Sequence, residues 1–175
     1  RSEGQDAIGI ADVDLAYEYA GDTYNFYLNN HGRDSLDGAG MELISTTRFC
    51  PDFLNCPYQN AFWYSGTGIQ SQMVYGQDFA SADDVVAHEM THGVTEHESN
   101  LFYINQSGAI NESFSDIWGE FVDLTNGKGN DDPSVRWQLG EDLPPEIGVI
   151  RDMSDPTIFG DPDRIGSTNY YCGEL

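Results

Sequence analysis

The chain has 175 residues, of which 39% are hydrophobic and 13% aromatic, a composition that suits one folded domain and excludes a disordered chain. Its 30 acidic and 7 basic residues give a formal net charge of −23, which repels phosphate backbones and excludes nucleic acid as a partner. No apolar run is long enough to span a membrane, so we expect no membrane partner. The excess carboxylates favour cations such as Ca²⁺, although solubility or salt adaptation explains most of them.

Helix and strand patterns alternate along the first half of the chain. Apolar and aromatic residues in 11–30 predict a helix that is interrupted or kinked at Gly21. β-Branched and aromatic residues in 41–49 predict a strand. Segments 61–64 and 72–75 predict a hairpin around the Gly-containing turn between them.

Two cysteines bracket a short Pro-containing loop. A disulfide between Cys50 and Cys56 would suit a secreted, extracellular protein; two free thiols or a metal-binding pair are the alternatives. Cys172 is left over, and we expect it to be unpaired within this chain. The chain opens on Arg1 with neither an initiator Met nor a signal sequence, so we expect a processed or shortened piece of its parent protein.

An H-E-x-x-H motif, formed by His88, Glu89 and His92, is the most informative short pattern. Residues four apart on a helix share a face, so the two imidazoles can reach one metal ion. A catalytic zinc ion takes three protein ligands and keeps one open position, and Glu112 is the third candidate. Two solvated histidines on an amphipathic helix are the alternative. Glu112 and Asp116 argue against it, because they repeat the four-residue spacing on the next segment.

The motif lies within two predicted helices. Apolar periodicity places them at about 82–98 and 109–125. Ser81, with Asp84 three residues later, resembles a capping box at the start of the first helix. The Gly-, Asn- and Asp-rich segment 126–133 predicts a loop after the second.

Several motifs, in one order along the chain, resemble the thermolysin family of secreted zinc metalloendopeptidases. The similarity extends from about residue 13 to the end, and its motifs are 60–63, 73–76, 88–95, Tyr103, 107–116 and 151–156. The resemblance implies an α+β fold: a zincin-like N-terminal lobe of short mixed and antiparallel strands with two metal-bearing helices.

The same resemblance divides the chain as a single partial catalytic domain. Residues 1–125 would form the zincin lobe, and 126–175 the calcium-loop region and the start of the C-terminal lobe. We expect the helical C-terminal lobe itself to be absent, together with the late histidine that it carries in the family. That missing part of the same protein would be a partner of this chain.

The resemblance also implies a mechanism. Zn²⁺ would lower the pKa of a bound water, and Glu89 would take the proton of that water; a ligand role for Glu89 is the alternative. Asp116 would orient a ligand imidazole, Tyr103 would donate to the developing oxyanion, and Arg151 would bind a substrate carbonyl and pair with Asp116. A solvated carboxylate, a core tyrosine and a structural ion pair are the respective alternatives.

The resemblance also implies which residues would bind the substrate and which would bind calcium. An edge strand would hold an extended peptide by backbone hydrogen bonds, and a pocket would take a hydrophobic residue just after the scissile bond, although the pocket residues could equally be core. Acidic residues match calcium sites of the family, but Arg136 and Gln138 replace acids there, so we expect one Ca²⁺ at most. The strand residues are Asn60, Ala61 and Trp63; the pocket residues are Val85, Leu143 and Ile150; the calcium residues are Asp84, Glu120, Asp123 and Glu141.

The sequence therefore predicts a zinc-dependent endopeptidase that acts on protein or peptide substrates. The alternative is a catalytically incomplete, metal-stabilised module that binds peptides without cutting them. A peptide-cleavage assay discriminates between the two.

Overall fold

The computed structural model describes residues 1–170, which form three helices and two small sheets. The helices are α1 (Ala11–His31), α2 (Asp83–Glu98) and α3 (Asn105–Asn126). The strands are β1 (Ser45–Thr46), β2 (Ala61–Tyr64), β3 (Gln72–Tyr75), β4 (Gln138–Leu139) and β5 (Arg151–Asp152). Short 3₁₀ turns follow β3 at Phe79–Ser81 and β5 at Pro156–Phe159. The α+β class predicted from the sequence is confirmed.

The larger sheet has the strand order β1-β3-β2. β2 and β3 form the predicted antiparallel hairpin, with Ala61 opposite Tyr75, while β1 runs parallel to β3. The predicted strand over 41–49 is wrong in extent, because regular strand structure covers only Ser45–Thr46. Arg48 has a φ of 55°, in the left-handed region, which ends the extended backbone, although the N–H of Phe49 still donates to the carbonyl of Tyr75 on β3.

The first helix is continuous, contrary to the predicted interruption at Gly21. A side chain at Gly21 would meet open space, so this glycine adjoins no packed neighbour that could bend the helix. α1 ends at Gly32, whose left-handed φ of 65° lets its N–H donate to the carbonyl of Leu28.

The start of α2 also differs from the prediction. Ser81 closes the preceding 3₁₀ turn, and its hydroxyl donates to the carbonyl oxygen of Asp142, so it does not cap the helix. Ala82 holds the cap position with no side-chain hydrogen bond. The side chains of Asp83 and Asp84 instead accept from backbone N–H groups of the first turn, where a negative charge suits the helix dipole.

α2 is the central element, because it contacts α1, α3, β2 and β3. Val86 and Met90 are fully buried on its core side, and Gly93 lies against Leu36 and Trp63. The closest approach is to α3, where a Cβ on Gly119 would lie 2.8 Å from the backbone oxygen of Asp84. The two histidines are buried on the side of α2 that is turned toward β2 and α3.

The predicted disulfide between Cys50 and Cys56 is confirmed, with 5.5 Å between the two Cα atoms. Cys172 lies outside the described residues. Within residues 1–170, none of the helices combines the length and apolar character needed to cross a bilayer.

The tight contact between α2 and α3 predicts opposite effects for two glycine-to-alanine changes. Gly119→Ala should lower the free energy of unfolding by about 1–3 kcal/mol, because its methyl group has no room against the backbone of α2. Gly21→Ala, in the open interior of α1, should raise it by ~0.5–1 kcal/mol. Urea titrations of both variants measure this. An unchanged or increased stability of Gly119→Ala would contradict the close packing.

Candidate metal centre and active-site cleft

Two helices bring three potential metal ligands together. His88 and His92, one turn apart on α2, place their Nε2 atoms 2.9 Å from each other. Glu112, near the start of α3, places Oε2 3.3 Å from Nε2 of His88 and Oε1 3.4 Å from Nε2 of His92. The structure therefore assembles the trio that the sequence predicted.

The spacing of these atoms suits a zinc ion. Ligand atoms about 2.0–2.2 Å from a tetrahedral zinc ion lie roughly 3.3 Å from one another, and the three separations here are 2.9, 3.3 and 3.4 Å. Two imidazole nitrogens and one carboxylate form a donor set common at catalytic zinc sites. The side chains of this centre thus fit the metal in number, type and spacing.

The other nitrogen of each imidazole has its own partner. Nδ1 of His88 lies 2.8 Å from Oδ1 of Asp116, as the resemblance implied. Nδ1 of His92 lies 2.8 Å from Oδ1 of Asn111 and 3.1 Å from the hydroxyl of Ser115. Such contacts hold the ring orientation and leave both Nε2 atoms for a metal ion. Ser115 was not singled out in the sequence; it lies on the same face of α3 as Glu112 and Asn111, and this periodicity is the signal that could have identified it.

Arg151, on β5, links the second sheet to the metal centre. Its Nε and Nη2 donate to both carboxylate oxygens of Asp116 at 2.9 and 2.7 Å, and Nη2 lies 3.5 Å from Oε2 of Glu112. Burial favours the protonated acid, but hydrogen bonds from His88 and Arg151 outweigh it and lower the pKa of Asp116 to about 2. Asp116 is therefore a charged anchor at neutral pH.

The charge of the two imidazoles is set by burial and by their neighbours. Burial opposes the charge of His88, yet hydrogen bonds to Asp116 and Glu112 outweigh it and raise its pKa to about 9. Burial and the neighbouring charge of His88 lower the pKa of His92 to about 4. The pair thus carries a single positive charge at neutral pH, and a bound cation would take the place of that charge.

Glu89 lies beside the histidines with a free carboxylate oxygen. The residue is only 5% exposed, and none of the described residues donates a hydrogen bond to its Oε2. Burial is the main cause that raises the pKa of Glu89 to about 7. A buried carboxylate of this kind is suited to accept and release a proton near neutral pH.

A cleft of about 1460 Å³ opens over the metal centre. The predicted edge-strand residues line it, and so do Tyr103, Val85 and Ile150. Tyr103 is 64% exposed, with its ring 5.8 Å from that of His92, so it is not a core tyrosine. Leu143 is not part of the cleft lining; both it and Leu139 are buried in the hydrophobic core, and Leu139 also contributes to the cleft wall.

The indole of Trp63 anchors one wall of the cleft. Its Nε1 donates to Oε2 of Glu96 on α2 at 2.6 Å. This bond ties β2, the exposed strand of the cleft, to the helix that carries the histidines. Glu96 was not anticipated from the sequence, because nothing in a sequence pairs a strand indole with a helix carboxylate 33 residues later.

The four calcium residues stay a prediction; three of them, Asp84, Asp123 and Glu141, lie close enough to raise one another's pKa. Asp84 accepts from the N–H of Gly140, and Glu120 accepts from the N–H of Trp137. Of the predicted set, Asp123 alone belongs to the second group of potential metal ligands among the described residues, which also contains Asp83 and Asp142.

Paired imidazoles on one helix, a carboxylate from the next helix and a buried glutamate beside them define the class: a metallopeptidase-type metal centre built on two helices. The chain matches the family described as thermolysin metallopeptidase, catalytic domain, over residues 4–96, and the description thermolysin metallopeptidase, alpha-helical domain, over residues 99–173. The chain therefore belongs to the thermolysin metallopeptidase family.

Relatives and a solved structure agree with this assignment. A zinc metalloproteinase of Renibacterium salmoninarum is 44% identical over 97% of this chain and 32% of its own length. An extracellular metalloprotease of Pectobacterium carotovorum is 40% identical over 95% of this chain and 48% of its own. The precursor of protealysin from Serratia proteamaculans superposes with a TM-score of 0.73 at 37% identity, over 89% of this chain and 48% of that one. The chain thus spans about a third to a half of the length of these relatives.

One expectation about the domains is wrong. We expected the helical C-terminal lobe to be absent, but residues 99–173 match the alpha-helical domain of the family. We assigned α3 to the first lobe because it carries metal-site residues together with α2. The region that matches the alpha-helical domain begins at residue 99, before the start of α3. The metal centre therefore lies between the two matched regions, with the histidines on one and Glu112 on the other.

The centre predicts a graded loss of zinc affinity. Glu112→Ala removes one of three ligands and should abolish stable zinc binding, whereas Asp116→Asn keeps all three and should weaken binding ~10–100-fold. Ser113→Ala, at an exposed position on the same helix, is the matched control and should bind zinc normally. Competition with a chromogenic chelator measures all three. Equal affinity in Glu112→Ala and the control would remove Glu112 from the site.

Proposed function

We propose that the protein is a zinc-dependent endopeptidase that hydrolyses internal peptide bonds. The observation that carries the proposal is the position of Glu89, whose buried carboxylate has a free oxygen in the cleft beside the three converging ligands. A module that only binds peptides has no need of a buried, unpaired carboxylate there, since burying such a group is costly.

The ligand and proton-transfer roles follow from chemistry. When bound by His88, His92 and Glu112, zinc would lower the pKa of a water molecule and polarise the peptide carbonyl. Glu89 then takes one proton from the water and later gives a proton to the leaving amine. A pKa of about 7 suits both directions of transfer.

Two further residues are assigned to the transition state. Tyr103, exposed in the cleft, offers a hydroxyl to the oxyanion that forms at the attacked carbonyl. Arg151 lines the same cleft and supplies positive charge, while its pairing with Asp116 fixes the guanidinium plane. Asp116 acts through these partners as a positioning residue.

The substrate would lie as an extended strand beside β2. Asn60, Ala61 and Trp63 belong to this edge of the sheet, whose other side is paired with β3, and main-chain hydrogen bonds there suit peptides of varied sequence. Val85, Leu139 and Ile150 form an apolar part of the cleft wall that favours a hydrophobic side chain just after the scissile bond.

The protein is inferred to act outside the cell. The Pectobacterium relative is named as extracellular, and the Cys50–Cys56 disulfide fits an oxidising compartment. Protein or peptide substrates are the partners that the cleft suits.

Glu89→Gln separates catalysis from metal binding. Gln is nearly isosteric and should leave zinc content unchanged, but it cannot accept a proton from water. The kcat/KM should therefore fall ~10²–10⁴-fold, measured on an internally quenched peptide with Leu after the scissile bond. Asn100→Ala, elsewhere in the cleft lining, is a control expected to keep most activity.

Three outcomes speak against parts of this proposal. Loss of zinc together with activity in Glu89→Gln would make Glu89 a structural or ligand residue. Unchanged activity would refute its role as the base. Tight peptide binding without zinc-dependent cleavage by the unmodified protein would favour the binding module instead.

A further inference from the structure

A disulfide-closed loop, residues 50–56, stands shortly before the edge strand β2. The Cys50–Cys56 bond closes this loop at its base. Its outer end presents two adjacent apolar side chains, Phe53 and Leu54, which are 87% and 78% exposed. A single exposed apolar residue is ordinary, but two neighbours at the end of a closed loop form a small apolar surface. We call these two residues the loop tip.

The side chain of Asp52 holds the loop tip in shape. Its Oδ1 accepts from the backbone N–H groups of Leu54 and Asn55 at 2.8 and 3.1 Å. Its Oδ2 accepts from the side-chain amide of Asn55 at 2.8 Å. The disulfide and these hydrogen bonds fix the loop before any partner arrives, so binding at the loop tip costs little conformational entropy.

Three aromatic rings attach the base of the loop to the wall of the cleft. Phe49 and Tyr58, which flank the loop, lie 5.6 and 6.1 Å from the ring of Phe62 on β2 and 5.5 Å from each other. All three pairs are edge-to-face, a geometry that aromatic rings prefer. Phe62 also lines the cleft, so the base of the loop is in direct contact with the cleft wall.

The backbone at the base of the loop is anchored to the end of β3. The N–H of Phe49 donates to the carbonyl of Tyr75, and the N–H of Gly76 donates to the carbonyl of Asn60, both at 2.9 Å. A side chain on Gly76 would collide with the carbonyl oxygen of Tyr58, because the chain that follows the loop packs directly on this glycine. The loop therefore keeps a fixed position relative to the sheet.

Chain length limits how far the loop tip can lie from the cleft. Phe53 follows Phe49 by four residues, and four residues span at most about 14 Å. An extended peptide advances about 3.3 Å per residue. A peptide that pairs with β2 and continues past Ala61, the end of β2 nearest the loop, can therefore reach the loop tip within roughly four to five further residues.

We propose that the loop tip is a second contact point for extended polypeptide substrates, which it binds through an apolar side chain several residues away from the scissile bond. The inference rests on the proposed function, because it assumes that a peptide pairs with β2. The loop tip would contact the arm of the peptide that leaves β2 at Ala61.

Charge favours this occupant over two others. The net charge of −23 opposes the approach of a second copy of the chain and of an anionic lipid surface. An apolar peptide arm of neutral or positive charge meets no such barrier. Two side chains also bury too little apolar area for stable binding to a membrane, whereas one aromatic contact is enough to change the affinity for a peptide.

Cleavage of short and long peptides by the zinc-loaded protein tests the inference. An internally quenched peptide that is extended on one side by roughly six residues, apolar ones among them, should have a kcat/KM about tenfold above that of the short peptide. The double variant Phe53→Ser with Leu54→Ser, changed only at exposed positions, should lose this gain and cleave the short peptide normally. Extension on the other side of the scissile bond should give no gain that depends on the loop tip.

Peptide binding gives a second readout that does not need cleavage. Fluorescence anisotropy with zinc-loaded Glu89→Gln should show the same tenfold difference in Kd between the long and the short peptide, and adding the two serine changes should remove it. A protein that cleaves no peptide but keeps this difference would refute the proposed endopeptidase and still support the contact at the loop tip.

Two further variants make the assignment specific. Ile8→Ser removes an exposed apolar side chain from the N-terminal segment and should keep the full gain with length. Cys50→Ser with Cys56→Ser keeps the apolar side chains but opens the loop, and it should lose part of the gain. Equal length dependence in the loop-tip variant and the unmodified protein would overturn the inference. A loop tip that instead drives self-association, or binding to phosphatidylcholine vesicles, without any effect on peptides would overturn it as well.

Discussion

The close packing of α2 on α3 is the contact on which the rest of the structure depends. At Gly119 the backbones approach so closely that even a Cβ would lie 2.8 Å from the oxygen of Asp84. Only this approach lets the carboxylate of Glu112 reach the imidazoles of the other helix at 3.3 and 3.4 Å. If α2 and α3 were a few ångströms further apart, the same three residues would be present but could not bind one metal ion together.

The same packing has an electrostatic consequence. It buries charged groups that water would otherwise solvate, and such groups persist only when they are paired or bound to metal. Near the histidines, the pairing of Asp116 with Arg151 and His88 supplies that compensation. At the far end of the helices, no basic side chain among the described residues pairs with Asp83 or Asp123. The two ends of one helix pair thus differ, because one has its buried charges paired with protein cations and the other does not.

Local patterns in the sequence were enough to predict much of the fold and the centre of the site. Spacing of three and four residues is a property of one helix, so the sequence placed the histidines and Glu112 correctly on α2 and α3. The β2–β3 hairpin was predicted from its turn residues, which are also a local feature of the sequence. Contacts between distant segments were harder: Ser81 has the right sequence for a cap, yet tertiary structure draws its hydroxyl to Asp142.

The other positions that the sequence did not predict depend on contacts between side chains from different helices, strands and loops. Leu139 and Leu143 lie four residues apart on either side of the turn at Gly140, which has a φ of 83°; both are core residues, but only Leu139 also reaches the cleft wall. Asp83 and Asp84 are adjacent acids at the start of α2, and only the path of the later loop decides which one faces Asp123. No periodicity in the sequence carries that information.

The hydrogen bond from Trp63 to Glu96 fixes the distance between β2 and α2. A peptide that pairs with β2 would therefore be held at a fixed distance from the helix that carries the histidines. Side chains alternate between the two faces of a strand, so a slip by one residue reverses every side chain, and a slip by two restores the pattern about 6.6 Å further along. If the chain cleaves peptides as proposed, a substrate paired with β2 would turn only every second side chain toward the apolar wall of the cleft.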